Sequence, residues 1–297
     1  MNQLAPEGEL VPHGTERQRC PYEAVQAATD LYGPVVLLPV TDRRGSAVWR
    51  AVGPDGTAAV KVGFGDAADV TAREATVLDQ MRLPWYRAAH GNAADAYWIV
   101  TQWFTGPSTR EAFAAVRDGE SDRRDAYRAA VDLCRTVAGL HERGWVHADL
   151  QPEHAIHTTT GVRLIDMSWS WRPGFSPSPR FMGGVPHILA PELAASIEAG
   201  VRPVMPSSSA EVYALAGLLW TCVTGRWPLD YRWAGIRPHA IGAAGLRQAT
   251  AVGTIPLDSD RPWPELQHVL EEVLLAPANE RPPAAQLADL IICKAGP

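Results

Sequence analysis

The chain has 297 residues, of which 46% are hydrophobic and 20% are charged, and its formal net charge is −6. This length and composition predict a globular protein of one or two domains and exclude wholesale disorder. The acidic balance argues against a general nucleic-acid binder or membrane-surface binder. The longest uncharged helical stretch, residues 214–223, falls far short of the ~20 residues that cross a bilayer.

The N-terminal residues and the cysteines favour an intracellular protein. Residues 1–20 are polar, are interrupted by prolines and lack the apolar core of a secretory signal, so they predict a mobile arm. The four cysteines form no C-x-x-C pair, which disfavours a zinc ribbon and a disulfide framework. We therefore expect a reducing, cytoplasmic location.

The first hundred or so residues are predicted to be rich in strands. A short leading helix follows Pro21 in the segment YEAVQAATDL. Three apolar runs, VVLLPV, AVWRAV and TAAVKV, predict strands within residues 35–62, and Asp55-Gly56 predicts a hairpin between the last two. The segment ADVTAREATVLDQM then carries an approximate helical stripe, and AYWIVTQWF predicts a buried strand.

Helices are predicted to dominate after Gly106-Pro107. Residues 122–143 have a strongly amphipathic pattern, and residues 211–225 form an apolar helix. GVRLIDM predicts a short strand, whereas EVLLA and AAQLADLIIC predict helices near the end. Strands followed by helices predict an α+β fold in two segregated parts, with the boundary near residues 103–108.

Lysine is rare in this chain, because only Lys61 and Lys294 occur among the 27 basic residues. Lys61 lies in the apolar segment AAVKVGF, and Glu74 follows 13 residues later on the predicted helix. An ion pair between them would fix an ammonium where it can hold phosphate oxygens. The alternative is a lysine at a strand edge whose head group lies in water.

A polar segment, WVHADLQPEHAI, follows the amphipathic helix. It contains His147, Asp149 and His154, and Asp166 comes after the strand VRLI. Two carboxylates on neighbouring loops are suited to one general base and one metal ligand. Three alternatives stay open: Asp149 caps a turn, His147 is a hydrogen-bonded core histidine, or His147, His154 and His157 bind zinc.

These pieces resemble, in this order, the eukaryotic-type (Hanks-type) protein kinase family, as a divergent, bacterial-looking member. AVKV resembles its lysine-bearing strand, HADLQPEH its catalytic loop, LIDMS its D-F-G segment and GGVPHILAPE its A-P-E segment. Arg281 fits the arginine that pairs with the A-P-E glutamate, and the resemblance covers about residues 32–292. It implies a bilobal α+β fold with a small β-rich N-lobe, residues 21–104, and a larger α-helical C-lobe, residues 105–297.

The resemblance implies a role for each matching residue. Asp149 would be the catalytic base, Lys61 would hold the phosphates of ATP, and Glu74 would orient Lys61. Asp166 would bind Mg²⁺ or Mn²⁺. The other residues implied in ATP binding lie in the phosphate-covering loop and the hinge: Arg43, Arg44, Gly45, Ser46, Thr101, Gln102 and Trp103.

Several positions depart from the family pattern. The phosphate-covering loop keeps only Gly45, one place out of register, so Arg43 and Arg44 would either contact phosphate as cations or lie solvated on an exposed hairpin. Gln151 replaces the catalytic-loop lysine and supplies a hydrogen bond without charge. His154 replaces the metal-binding asparagine and would bind Mn²⁺, contact phosphate or leave a single metal.

Two functions remain open at this point. The first is an ATP-dependent phosphotransferase that acts on a hydroxyl of a peptide, a protein or a small metabolite. The second is a pseudokinase that binds nucleotide or a partner protein, and Ala148, where the family has an arginine, makes switching by phosphorylation of the activation segment unexpected. Aminoglycoside-type phosphotransferases share both aspartates but generally lack the A-P-E segment. Trp169 and Trp171 either pack in the core or form an aromatic platform for the acceptor.

Overall fold

The computed structural model describes residues 19–83, 86, 88–120 and 122–296, so the predicted arm at residues 1–20 lies almost wholly outside the described residues. The described chain divides into two compact units. One comprises the residues up to Ala75 together with Arg82–Trp103, and the other comprises Thr76–Met81 and the chain from Phe104 onwards. The predicted α+β class is confirmed, because a sheet forms the first unit and helices form most of the second.

The first unit is an antiparallel sheet with a helix on one face. Its elements are α1 (Tyr22–Tyr32), β1 (Val36–Arg43), β2 (Ser46–Gly53), β3 (Gly56–Phe64), the first part of α2 (Asp66–Met81), β4 (Ala89–Ala93) and β5 (Ala96–Gln102). The five strands lie in the order β1-β2-β3-β5-β4. The predicted hairpin joins β2 to β3, with Gly53 paired to Gly56, so its tip is Pro54-Asp55, one residue earlier than predicted. The sequence did not predict β4, an edge strand without β-branched residues.

The pleat of β3 separates a covered face from the face that carries Lys61. Val60 and Val62 are fully buried in one cluster with Ala24 and Ala28 of α1. Successive side chains of a strand point to opposite faces, so Lys61 points away from α1. The small residues of the leading helix therefore cover the back of the sheet.

Helix α2 begins in close contact with β3 at Gly63. A Cβ atom on Gly63 would lie 2.2 Å from the Ala67 carbonyl oxygen and 2.4 Å from Thr71 Oγ1, closer than Cβ atoms approach such groups. Thr71 is almost fully buried, and its hydroxyl donates to the Ala67 carbonyl at 3.1 Å. Because Gly63 and Lys61 lie on the same face of β3, the missing side chain lets α2 begin on the Lys61 face.

The second unit is mainly helical. Beyond the end of α2, its elements are α3 (Thr109–Ala112), α4 (Ala114–Arg117), α5 (Arg124–Glu142), β6 (Ala155–Thr158), β7 (Gly161–Leu164), α6 (Pro191–Glu198), α7 (Ser208–Thr224), α8 (Pro238–Val252), α9 (Pro264–Leu275) and α10 (Ala284–Lys294). Helices α5, α7, α9 and α10 occur where the sequence predicts helices. The sequence did not predict α6, which is short and begins at a proline, or α8, which is interrupted at Gly242.

Helix α7 forms the buried centre of the second unit. Leu215, Leu218 and Trp220 are fully buried, in keeping with a helix that is apolar on all sides. The side chain of Ser207 accepts from the Ala210 N–H at its start, and Gly225 ends it with a φ of 72°. Among the described residues, no helix has both the length and the apolar character of a membrane span.

Candidate active site

Lys61 and Glu74 form an ion pair inside the first unit. Lys61 Nζ lies 2.6 Å from Glu74 Oε2, and the two side chains are 20% and 7% exposed. The contact brings together strand β3 and helix α2, which the small size of Gly63 allows to approach. The carboxylate of Glu74 therefore holds the ammonium of Lys61. This contact explains how the apolar strand accommodates a lysine.

Two of the three predicted hinge residues end strand β5, on opposite faces of the sheet. Thr101 pairs with Ala59, two residues before Lys61, and therefore lies on the Lys61 face. Gln102 pairs with Ala58 and lies on the other face. The register of the sheet therefore places Thr101, but not Gln102, on the face that carries the Lys61–Glu74 ion pair.

Trp103, the third predicted hinge residue, continues the strand ladder by one hydrogen bond. Its N–H donates to the Thr57 carbonyl at 2.9 Å. The guanidinium of Arg50 lies 5.3 Å from the centroid of its ring, within the range of a cation–π contact. The indole is thus held against the sheet of the first unit.

The loop predicted to cover phosphates is a tight turn between β1 and β2. Arg43 pairs with Ser46, so Arg44 and Gly45 alone form the turn, with φ values of 55° and 76°. Two positive φ values are typical of a type I′ hairpin turn. The Gly45 carbonyl accepts from the Phe64 N–H at 2.8 Å, which ties the turn to the end of β3. The four predicted residues are therefore together at the tip of the hairpin, and both arginines are exposed.

Three side chains converge in the second unit: Asp149, His154 and Asp166. They can offer one ligand atom each within 4.8 Å of one another, and the part of the chain that the structure describes holds no other group of this kind. His154 Nδ1 lies 3.9 Å from Asp149 Oδ2, and His154 Nε2 lies 3.8 Å from Asp166 Oδ2. Two residues of the predicted catalytic loop thus meet the aspartate that follows β7.

His147 supports this arrangement from the core. It is fully buried; its Nδ1 accepts from the Asp149 N–H at 3.3 Å, and its Nε2–H donates to the Ile165 carbonyl at 3.0 Å. Both ring nitrogens are therefore used by protein groups. His157 is also engaged, with Nε2 at 2.9 Å from Thr109 Oγ1. The alternative of a three-histidine zinc site is wrong, and His147 is a hydrogen-bonded core histidine.

Asp149 is a buried carboxylate with a defined hydrogen-bond donor. It is 9% exposed, and Gln151 Nε2 donates to its Oδ2 at 3.1 Å. Burial raises the pKa of Asp149 above its ordinary value, and the nearby histidines and the Gln151 hydrogen bond only partly oppose this. Gln151 therefore orients the carboxylate without adding a positive charge.

Local structure positions Asp166, including a backbone conformation and a hydrogen bond from Ser168 that the sequence did not predict. Its φ of 59° lies in the left-handed region, where aspartate is tolerated better than most residues. Ser168 Oγ donates to Asp166 Oδ1 at 2.8 Å, and the N–H of Ile165 donates to the His154 carbonyl at 2.9 Å. These bonds hold the chain of Asp166 beside that of His154.

Glu211 of α7 anchors the start of the predicted catalytic loop. Its Oε1 accepts from the Ala148 N–H at 2.6 Å, and its Oε2 accepts from His141 Nε2–H at 2.7 Å. Burial opposes the charge of Glu211, but the hydrogen bonds and the proximity of His141 hold the pKa of Glu211 below its usual value. Ala148 has a φ of 68°, a strained value that this anchor helps to maintain. Sequence reasoning missed His141 because it lies 70 residues before Glu211.

The predicted partner of the A-P-E glutamate is also in contact. Arg281 donates to both carboxylate oxygens of Glu192, at 2.6 and 2.9 Å, and its guanidinium lies over the ring of Tyr213. This bidentate pair joins the start of α6 to the segment before α10. It fixes the end of the segment that the resemblance identifies as the activation segment.

The two tryptophans after Asp166 differ in the contacts they make. Trp169 is half-buried and its ring lies 6.1 Å from that of Phe181, which favours the packing interpretation for this residue. Trp171 exchanges two backbone hydrogen bonds with Val146, at 2.9 and 3.0 Å, which fix its main chain. The aromatic platform for an acceptor stays a hypothesis.

Comparison with known proteins gives two distant relatives and no matching family model. Calcium-dependent protein kinase 24 of Arabidopsis thaliana is 27% identical over 186 residues, which are 61% of this chain and 28% of that protein. Serine/threonine-protein kinase pkn2 of Myxococcus xanthus is 24% identical over 215 residues, 68% of this chain and 24% of that protein. The chain thus spans about a quarter of the length of the curated relatives it matches. With the order of its motifs and its α+β architecture, these matches show that the chain is similar to protein kinases at low identity and support a divergent, kinase-like relationship.

Proposed function

We propose that the chain is an ATP-dependent phosphotransferase that transfers the γ-phosphoryl group to a hydroxyl of a peptide, a protein or a small metabolite. The convergence of Asp149, His154 and Asp166 carries the proposal. Phosphoryl transfer requires little covalent chemistry from the protein but needs a positioned base and a bound cation, and this group supplies side chains for both.

Asp149 is the proposed general base. A carboxylate whose pKa is raised by burial accepts a proton from an acceptor hydroxyl more readily than an ordinary aspartate does. The amide of Gln151 donates to one oxygen and so fixes the direction of the other. With Gln151 in place of a lysine, the loop lacks one positive charge for the transferred group, so we expect slow turnover.

Lys61 is the proposed phosphate-binding residue of the first unit. Glu74 fixes its ammonium at 2.6 Å. Arg43 and Arg44, exposed at the tip of the β1–β2 hairpin, add positive charge where the family uses glycine backbone. On the basis of the family resemblance, we also assign nucleotide binding to Thr101, Gln102 and Trp103.

Asp166 and His154 fit a divalent cation, because carboxylate oxygen is a ligand of both Mg²⁺ and Mn²⁺ and imidazole nitrogen is a ligand of transition metals such as Mn²⁺. Such a cation, when bound, neutralises charge on the transferred phosphates. The protein's own contribution is to hold these two side chains 3.8 Å apart at Nε2 and Oδ2.

A pseudokinase is the second candidate, and one observation favours it. The turn at Arg44-Gly45 is a two-residue turn tied to β3, and it keeps only one of the glycines that let backbone amides approach phosphate. A chain with this turn would bind nucleotide weakly, or would use its surface to bind a partner protein.

The two candidates differ in ATP binding and ATP consumption, measured with Mg²⁺ and with Mn²⁺. The variant Asp149→Asn keeps the shape of the side chain and removes the base, and Asp289→Asn, on the exposed side of α10, is the matched control. We expect ATP binding by all three proteins and turnover by wild type and the control only. Binding with turnover that Asp149→Asn does not change would contradict the proposed base. Binding without any turnover would identify a nucleotide-bound pseudokinase, and no binding would identify a partner-binding scaffold.

A further inference from the structure

The hydrogen bond of His154 fixes which ring nitrogen carries the proton. Its Nδ1 lies 2.9 Å from the backbone carbonyl oxygen of Asp149. A carbonyl oxygen only accepts, so Nδ1 must be the donor. In the neutral ring, Nε2 then carries the lone pair, and Nε2 is the atom that lies nearer Asp166.

The separation between His154 Nε2 and Asp166 Oδ2 suits a shared metal ion better than a direct hydrogen bond. The two atoms are 3.8 Å apart, which exceeds hydrogen-bond length. Metal–nitrogen and metal–oxygen bonds of roughly 2.1 Å each allow two ligand atoms of one ion to lie up to about 4.2 Å apart, so both atoms would be within reach of a single ion.

The surroundings hold the ring in this orientation and leave the two side chains partly exposed to solvent. The His154 carbonyl accepts from the Ile165 N–H at 2.9 Å, so both its ring and its backbone are fixed. The side chains of His154 and Asp166 are 16% and 33% exposed, so the pair is not sealed in the core. A carbonyl bound to Nδ1–H is the arrangement that commonly orients a metal-binding histidine.

We propose that His154 Nε2 is a direct ligand of the divalent cation at Asp166, and that this ligand makes the site selective for Mn²⁺ over Mg²⁺. Mg²⁺ is a hard ion that prefers oxygen, whereas imidazole nitrogen suits the first-row transition metals. In the neutral ring, the lone pair at Nε2 also disfavours phosphate binding by His154, because two acceptors repel each other. The inference concerns the cation of the proposed phosphotransferase, but metal binding is measurable without nucleotide or turnover.

The test measures Mn²⁺ binding to the full chain by the electron paramagnetic resonance of free Mn²⁺, with Mg²⁺ as competitor. We expect wild type to bind Mn²⁺ at least about tenfold more tightly than Mg²⁺. His154→Asn should weaken Mn²⁺ binding by at least about tenfold and reduce the preference, since an amide oxygen replaces the nitrogen. His157→Asn is the matched control, because His157 lies on strand β6 and its Nε2 contacts Thr109 Oγ1 rather than the cluster.

A second measurement does not depend on whether the variants fold. Pulsed electron paramagnetic resonance of Mn²⁺ bound to wild type should show coupling to an imidazole ¹⁴N nucleus. Equal affinity for the two metals, or bound Mn²⁺ without nitrogen coupling, would overturn the inference. The proposed function is tested separately. If the protein binds Mn²⁺ through nitrogen but never transfers phosphate, the metal site is supported and the phosphotransferase activity is refuted.

Discussion

The close contact at Gly63 gives a sharp test of how the fold positions Lys61. In Gly63→Ala, the new Cβ would lie 2.2 Å from the Ala67 carbonyl oxygen, whereas Cβ atoms essentially never approach a neighbour more closely than 3.0 Å. Strand β3 and the first turn of α2 must therefore separate by at least 0.8 Å, the difference between 3.0 and 2.2 Å. If the shift reaches Glu74, the Nζ–Oε2 distance grows from 2.6 Å to about 3.4 Å, beyond a good hydrogen bond.

The expected loss of stability combines two opposing effects. Overpacking of this kind costs about 1–3 kcal/mol. Replacing glycine in a strand interior recovers about 0.5–1 kcal/mol of backbone entropy. We therefore expect the free energy of unfolding to fall by up to about 2.5 kcal/mol, and ATP affinity to fall because Lys61 is no longer held.

Urea unfolding and ATP titration measure the two effects. Gly139→Ala, in helix α5 with no atom near the new Cβ, is the control and should be neutral or stabilising by up to about 1 kcal/mol. In a Lys61→Met background, Gly63→Ala should lower stability but cause no further loss of ATP affinity. Unfolding within about 0.5 kcal/mol of wild type, with unchanged ATP affinity, would refute the reasoning.

Three further predictions concern the second unit. Arg281→Lys loses the bidentate contact with Glu192 and should lower the free energy of unfolding by about 1–3 kcal/mol in urea; a change below about 0.5 kcal/mol would mean that charge alone suffices. His141→Phe leaves Glu211 without its side-chain donor and should cost about 1–3 kcal/mol, which thermal unfolding against wild type measures; an unchanged melting temperature would contradict the anchor. Burial, with a contribution from the charge of His239, lowers the pKa of His187 from 6.5 to about 4. As the pH falls, the unfolded chain therefore binds a proton at His187 before the folded chain does, and stability is lost between pH 6.5 and pH 4. Wild type should thus lose more stability over this range than His187→Phe, and parallel pH profiles would show that His187 does not contribute.

The sequence predicted the features that depend on local pattern. The amphipathic helix α5, the apolar helix α7 and the strands around Lys61 follow from periodicity, and the order of the motifs indicated the kinase-like architecture. It also supplied the candidates Asp149 and Asp166, because carboxylates in or beside predicted loops can be identified from the sequence alone. Helix α8 was not predictable in this way, since Gly242 and many small residues erase the periodic stripe.

Only the tertiary structure decided how these residues meet. Gly63 is one glycine among 25 in the sequence, and its importance appears only when the Ala67 carbonyl is seen against it. The contact of His141 with Glu211 joins residues on different helices, which no spacing rule predicts. The sequence left His154 with three possible roles, and the carbonyl at Nδ1 is what favours one of them, because the direction of a hydrogen bond depends on which atoms the fold brings together.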